Sequence, residues 1–171
     1  EINYLKSIKI KPTIIKIDKS SINRTVQLCQ KTNQFNLRSK KYNTNDILKL
    51  RDKNICFLVN LKDNYGDHGI VSFISLKVVS NKFVFIDTFL MSCRILGRHL
   101  ESWILNEIRK IAVKKKIGTI LAEYIPTKRN IVARNFIIKN NFKKISKKKI
   151  STYGIFFEKI SAENNNSEFY N

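Results

Sequence analysis

Cysteine and histidine are scarce in this chain: its 171 residues include three cysteines and two histidines. Cys29, Cys56 and Cys93 are odd in number and widely spaced, and His68 and His99 stand alone. That pattern argues against a disulfide framework and a zinc site, and it suits a reducing cytoplasm. No run approaches the roughly 20 apolar residues needed to cross a bilayer. No signal peptide is apparent, because the opening EINYLKSIKI alternates charge with apolarity and has no hydrophobic centre. No internal repeat is evident. The first residue is Glu1 rather than Met, which fits an excised piece of a longer polypeptide. Acidic residues are few, 13 Asp and Glu against 33 Lys and Arg.

What is present describes one domain with a single well-buried core. A hydrophobic content of 43% with 11% aromatics is globular rather than disordered. The net charge of +20 suits an anionic partner, whether nucleic acid, lipid, nucleotide cofactor or acidic protein. Lys, Asn and Ile dominate throughout, a bias that an AT-rich genome produces unaided. The placement of the cations therefore carries more information than their number. The run KKISKKK (143–149) interleaves poorly with aromatics and reads as a solvated edge. With no recognised nucleic-acid motif either, nucleic acid ranks below the other partners.

The pattern along the chain predicts an α/β domain with a mixed, mostly antiparallel sheet. Residues 1–12 read as a linker or the end of a preceding helix, 13–160 as the domain and 161–171 as a frayed polar tail. TIIKI (13–17) is a short strand, and Ser20 or Ser21 caps a helix to about Lys31. QKTNQFNLRSKKY (30–42) suits an irregular loop, and NTNDILKLR (43–51) a helix capped by Thr44 or Asn45. Strands at 55–62, 70–79 and 83–91, separated by the turn clusters DNYGDHG and SNK, make an antiparallel meander. Leu100, Ile104, Ile108 and Ile111 then recur at helical spacing from Gly97 to about Lys115. A strand at 118–125, a helix at 127–141 and two closing strands complete the order β-α-α-β-β-β-α-β-α-β-β.

Between the third meander strand and its helix lies the basic corner Arg94-Ile95-Leu96-Gly97-Arg98-His99. A phosphate wants backbone N–H donors at a helix start, the helix dipole and a nearby cation. Gly97 allows a close approach or a positive φ, and Arg94 and Arg98 bracket it. The same residues also make an ordinary helix start with two solvated arginines, and spacing alone leaves both open. Asp87 and Glu123 are candidate bases at strand positions, and either can equally be a paired structural carboxylate. Cys93, in an electropositive setting, is a candidate nucleophile or simply a packed thiol. His68 reads as a hairpin residue that bonds within its own turn.

The corner and its context resemble the acyl-CoA diphosphate loop of GNAT N-acyltransferases, whose pattern is [RQ]-x-x-G-x-[GA]. Arg94 and Gly97 match, and His99 stands where that pattern has a small residue. The later GNAT landmarks match at Asn130, Ala133, Phe136 and Phe142, while Ile137 and Asn141 depart from them. A narrower resemblance rests on QKTNQFNLRSKKY (30–42), LKDNYGDHGIVS (61–72), IDTFLMSCRILGRHLE (86–101) and EYIPTKRN (123–130). Together these look like the C-terminal domain of FkbH-like proteins of the HAD superfamily, subfamily IIIC.

The resemblance implies acyl transfer from acetyl-CoA or another acyl-CoA to an unknown amine or carrier-bound acceptor. Phe89, Leu90 and Met91 would offer the strand edge to the pantetheine, Arg94 to His99 the diphosphate loop, and Asn130 a side chain from the opposite wall. Lys128 and Arg129 would meet the 3′-phosphate or form a solvated helix start. The alternative is a non-catalytic module that docks an acyl carrier protein, or its phosphopantetheine arm, for a HAD-like glyceryl transferase or phosphatase domain. The aspartate motif of a HAD domain is absent from this chain. The GNAT tyrosine that serves as general acid falls at Ile137, which cannot donate a proton.

Overall fold

The computed structural model describes residues 9–145 and, as backbone, 155–160. The tail at 161–171, most of the 143–149 lysine run and residues 1–8 of the leading segment lie outside the described residues.

Strand β1 (Lys11–Ile15) begins two residues earlier than the TIIKI run and lies antiparallel to β3. Helix α1 (Ile22–Lys31) follows a turn built on Asp18, whose Oδ1 accepts from the Ser20 and Ser21 N–H groups at 2.9 Å. Ser21 precedes the helix but makes no side-chain cap; its Oγ instead accepts from the Asp18 N–H at 2.9 Å. Helix α2 (Thr44–Lys53) is capped by Asn43, one residue before the expected Thr44 or Asn45. Asn43 Oδ1 accepts from the Asp46 N–H, and Asp46 Oδ2 accepts from the Asn43 N–H, both at 3.0 Å. This reciprocal box satisfies two backbone donors, and no cap at Thr44 or Asn45 does so.

The meander forms as β3 (Ile55–Asp63), β4 (Gly66–Val79) and β5 (Phe83–Met91). Helix α3 (Leu100–Lys114) crosses over to β6 (Thr119–Tyr124), which runs parallel to β5. Helix α4 (Ile131–Lys139) leads to β7 (Lys143–Lys144) and β8 (Ile155–Ile160). The sheet order is β1-β3-β4-β5-β6-β8-β7, antiparallel except at the β5–β6 junction. The span expected to be an irregular loop carries a further strand, β2 (Phe35–Asn36), which pairs with β5.

Alternation along the strands splits the core into two layers. Phe57, Val59 and Leu61 of β3 join Leu100, Ile104, Ile108, Ala133, Phe136 and Ile137 of α3 and α4 on one face. Leu58, Phe73 and Leu90 meet Leu28, Cys29 and Ile47 of α1 and α2 on the other. The helices thus clamp both faces of β5, which fixes the strand where the site is built.

Candidate functional site

Strand β5 changes direction at Asp87. Thr88 pairs with Ser75 and Ile86 with Leu76, so Asp87 is an extra residue in the ladder, a β-bulge. A bulge bends its strand and sharpens the twist. On the other side of β5, pairing with β6 ends at Ile86–Ala122, after three residue pairs. Bulge and divergence coincide, so the two parallel strands part beyond residue 86 and leave a wedge between Phe89 and Tyr124.

Just past the wedge lies the bend. Ser92 donates to the Val71 carbonyl at 2.8 Å and ends the strand. A single 3₁₀ turn follows at Cys93–Ile95, pinned by the buried Ile95. Two amides are committed within it, Ile95 N–H to Ser92 O at 3.1 Å and Leu96 N–H to Cys93 O at 3.3 Å. Gly97 then takes φ +81° and His99 φ +57°. His99 is the left-handed residue that launches α3, its carbonyl accepting from Ser102 N–H at 3.1 Å. Helix α3 therefore starts at Leu100 rather than Gly97. Arg94 and Gly97 are exposed at the bend, and a Cβ added at Gly97 would meet nothing within 4 Å. This face has room for an anion.

Arg98, expected to flank that face, points elsewhere. Its guanidinium reaches Asp63 Oδ2 at 2.5 Å, on the β3–β4 hairpin. Asp63 also accepts from the Tyr65 N–H at 2.8 Å and pairs with His68 Nε2 at 2.7 Å. His68 thus bonds within its hairpin. Burial pushes the Asp63 carboxyl up, but the bonds from His68, Tyr65 and Arg98 outweigh it and hold it below its usual range. Arg94 is left as the bend's outward-facing arginine.

The wedge itself is filled by the chain. Phe35 pairs with Met91 and Asn36 with Leu90. The Leu37 N–H donates to the Phe89 carbonyl at 3.3 Å, and the Ile125 N–H donates to the Leu37 carbonyl at 2.9 Å. Residues 35–37 therefore bridge β5 to the end of β6. The Phe89–Met91 edge, which the resemblance offers to a pantetheine, is here a paired edge. Phe35 adds an aromatic contact with Phe89 (5.0 Å between centroids) and with Phe136 (5.4 Å). Leu37 is fully buried.

The next residue, Arg38, joins the two candidate bases. Its Nη1 lies 2.5 Å from Asp87 Oδ1 and 3.1 Å from the Asp87 carbonyl, and its Nε lies 2.6 Å from Glu123 Oε2. The side chains of Arg38 and Asp87 are each 15% exposed and that of Glu123 4%. Arg38 also stacks over Phe85 at 5.2 Å from the ring centroid. Asp87 and Glu123 thus meet at Arg38 beside the wedge, and both are ion-paired there. Glu123 pairs with Arg38 rather than with Lys128 or Arg129.

Asn130 anchors the same segment. Fully buried, its Nδ2 donates to Asn36 O (3.1 Å), Ser39 Oγ (3.1 Å) and Ile125 O (2.9 Å). Its Oδ1 accepts from the Thr127 N–H (2.8 Å) and from Tyr124 Oη (3.0 Å). Its donors are thus spent on the chain's own segment. Cys93 is exposed at the bend and Ile137 lies in the core. Between the bend and α4 remains a cavity of about 200 Å³, walled in part by Phe35, Leu96, Gly97, Glu101, Val132 and Phe136. One Glu101 carboxylate oxygen is buried there without a hydrogen-bond partner among the described residues.

Sequence reasoning missed Arg38 and the strand before it. Within 30–42 the apolar Phe35 and Leu37 flanking Asn36 are the one local signal of a strand.

No family model matches the chain, and no curated protein matches it. Solved structures do. One is a ribosomal-protein-S18-alanine N-acetyltransferase from Escherichia coli, 12% identical, with a TM-score of 0.65 over 92% of this chain and 98% of that one. Another is a GNAT-family acetyltransferase from Staphylococcus aureus, 15% identical, with a TM-score of 0.67 over 89% and 100%. A third is the PaiA N-acetyltransferase from Thermoplasma acidophilum, solved in complex with coenzyme A, 16% identical, with a TM-score of 0.65 over 88% and 99%. The fold is that of the GNAT acetyltransferases.

Proposed function

We propose that this chain is a GNAT-type acyltransferase domain that binds acetyl-CoA or another acyl-CoA. It passes the acyl group to an amine or carrier-bound acceptor as part of an FkbH-like biosynthetic protein in the cytoplasm. The observation that carries this reading is the coincidence of three features: the bulge at Asp87, the parting of β5 from β6 and the Gly97 bend at the mouth of the wedge. The open face of the bend and Arg94 fit a diphosphate. The Phe89–Met91 edge fits an amide-bearing arm only when residues 35–37 are elsewhere.

A bound acyl-CoA supplies an activated thioester. The chain's part is to orient it and to take a proton from the acceptor. Asp87 and Glu123, which meet at Arg38 beside the wedge, are the carboxylates this reading assigns to that role, and a positioned base contributes roughly 10²–10⁴ in rate. Position 137 offers no proton to the leaving sulfur. A thiol of pKa about 8.5 leaves tolerably as thiolate, so an isoleucine there slows such a reaction without forbidding it.

A second reading has a specific observation behind it. Arg38 pairs with both carboxylates, and a wedge filled by the chain itself suits a module that docks rather than reacts. Its partner would be an acyl carrier protein, or that protein's phosphopantetheine arm, serving a HAD-like domain. Calorimetric titration separates the two. Acetyl-CoA binding, with amide shifts at residues 94–99, supports the first. Binding of an acylated carrier protein with none of acetyl-CoA supports the second and refutes the first.

A further inference from the structure

We infer that residues 35–38 are a resident strand competing with the thioester ligand for the wedge, so that ligand entry and strand departure are one event. The inference rests on the acyl-CoA reading. The backbone groups settle the competition: Phe89 O accepts from Leu37, and the Leu90 and Met91 positions are paired with Asn36 and Phe35. A ligand arm laid along Phe89–Met91 needs the same groups, and a strand edge pairs with one chain at a time.

The side chains make the strand a latch. Closed, Arg38 lies between Asp87 and Glu123, so both candidate bases are masked as long as the strand stays in place. Displaced, the strand carries Arg38 away and leaves two carboxylates facing the vacated slot. One movement therefore clears the ligand's edge and releases the base. Ser39, which follows at φ +55°, is the point where the segment turns away from the sheet.

The latch is bolted at its other end. Lys41 Nζ bonds the carbonyls of Cys29, Gln30 and Thr32 at 3.1, 2.9 and 2.9 Å, closing the C-terminal end of α1. Tyr42 Oη meets Thr88 Oγ1 at 2.7 Å. The moving part is thus the short stretch 35–39 between α1 and the Lys41–Tyr42 anchor. A ligand that opens it gives up part of its affinity, because apparent affinity scales with the open fraction.

Hydrogen exchange on the intact chain, with and without saturating acetyl-CoA, tests this directly. The Leu37 amide should lose protection when acetyl-CoA binds, while amides of α3 and β4 do not. Arg38→Gln, which leaves the closed state with two unpaired carboxylates, should bind acetyl-CoA at least about tenfold more tightly. Arg38→Lys, which keeps a cation, should lie between it and the parent. If acetyl-CoA binds the parent with Leu37 still protected and Arg38→Gln binds equally well, the competition is refuted while the acyl-CoA reading stands. If neither the parent nor the folded Arg38→Gln variant binds acetyl-CoA, both fall.

Discussion

Replacing Arg38 by methionine tests what holds the wedge shut. The change removes a guanidinium that makes two ion pairs, at 2.5 and 2.6 Å, and a bond to the Asp87 carbonyl. Removing one partner of a buried pair typically costs about 3–5 kcal/mol, because the other charge stays behind without compensation. Arg38 and Asp87 are 15% exposed, so water screens part of that and the lower figure is appropriate. We therefore expect a loss of about 3 kcal/mol, a large share of the roughly 5–15 kcal/mol that holds a domain folded. Urea unfolding followed by circular dichroism should show the midpoint fall with the slope unchanged. The triple variant Arg38→Met, Asp87→Asn, Glu123→Gln should recover more than half of the loss, since no charge is then left unpaired. A single variant within about 1 kcal/mol of the parent, or a triple no more stable than the single, would refute the account of the cluster.

Three further outcomes can be checked on simple variants or on the parent. Gly97→Ala should cost about 1 kcal/mol in urea unfolding, because φ +81° disfavours any side chain although space is free there. An unchanged midpoint would contradict the backbone reading. The lowered Asp63 carboxyl contributes stability above its unfolded value near ~3.9, and that contribution fades as pH falls through the folded value. Asp63→Asn should accordingly flatten the fall in stability below about pH 4, and superimposable acid limbs would rule that out. Burial pushes the Cys29 thiol up to about 12, while Cys93 is exposed, so at pH 8 a thiol reagent should label Cys93 in the native chain and spare Cys29. Mass mapping that finds Cys29 labelled first would contradict the packing of α1.

The elements legible in the sequence are those whose cause is local. Leu100, Ile104, Ile108 and Ile111 mark α3 because a 3.6-residue period places them on one face. The meander is legible because alternating apolar runs meet Asn-, Asp- and Gly-rich turns. The periodicity puts the helix start at Gly97, three residues before the true start at Leu100, because a left-handed histidine leaves no mark in composition. The site was half legible. Arg94 and Gly97 mark the bend by type and spacing, and Asp87 and Glu123 mark the wedge. Arg38 could not be assigned, because its partners lie 49 and 85 positions away and no local pattern carries that distance. The same holds for β2, whose two residues gain their meaning from a bulge on a strand 52 positions later.

That bulge explains why the wedge and the inserted strand belong together. Parting two parallel strands removes ladder partners from both, and buried peptide groups need replacements. In this chain the replacements are internal: Leu37 offers its N–H to Phe89 and its carbonyl to Ile125, and Asn130 binds the neighbouring carbonyl of Asn36. Any ligand that takes the place of residues 35–37 has to offer a donor and an acceptor at the same spacing, on an extended backbone. An amide-bearing arm meets those terms, and a ligand without a backbone-like donor and acceptor does not. The inserted strand therefore acts as a template, and its geometry specifies the kind of molecule that can replace it.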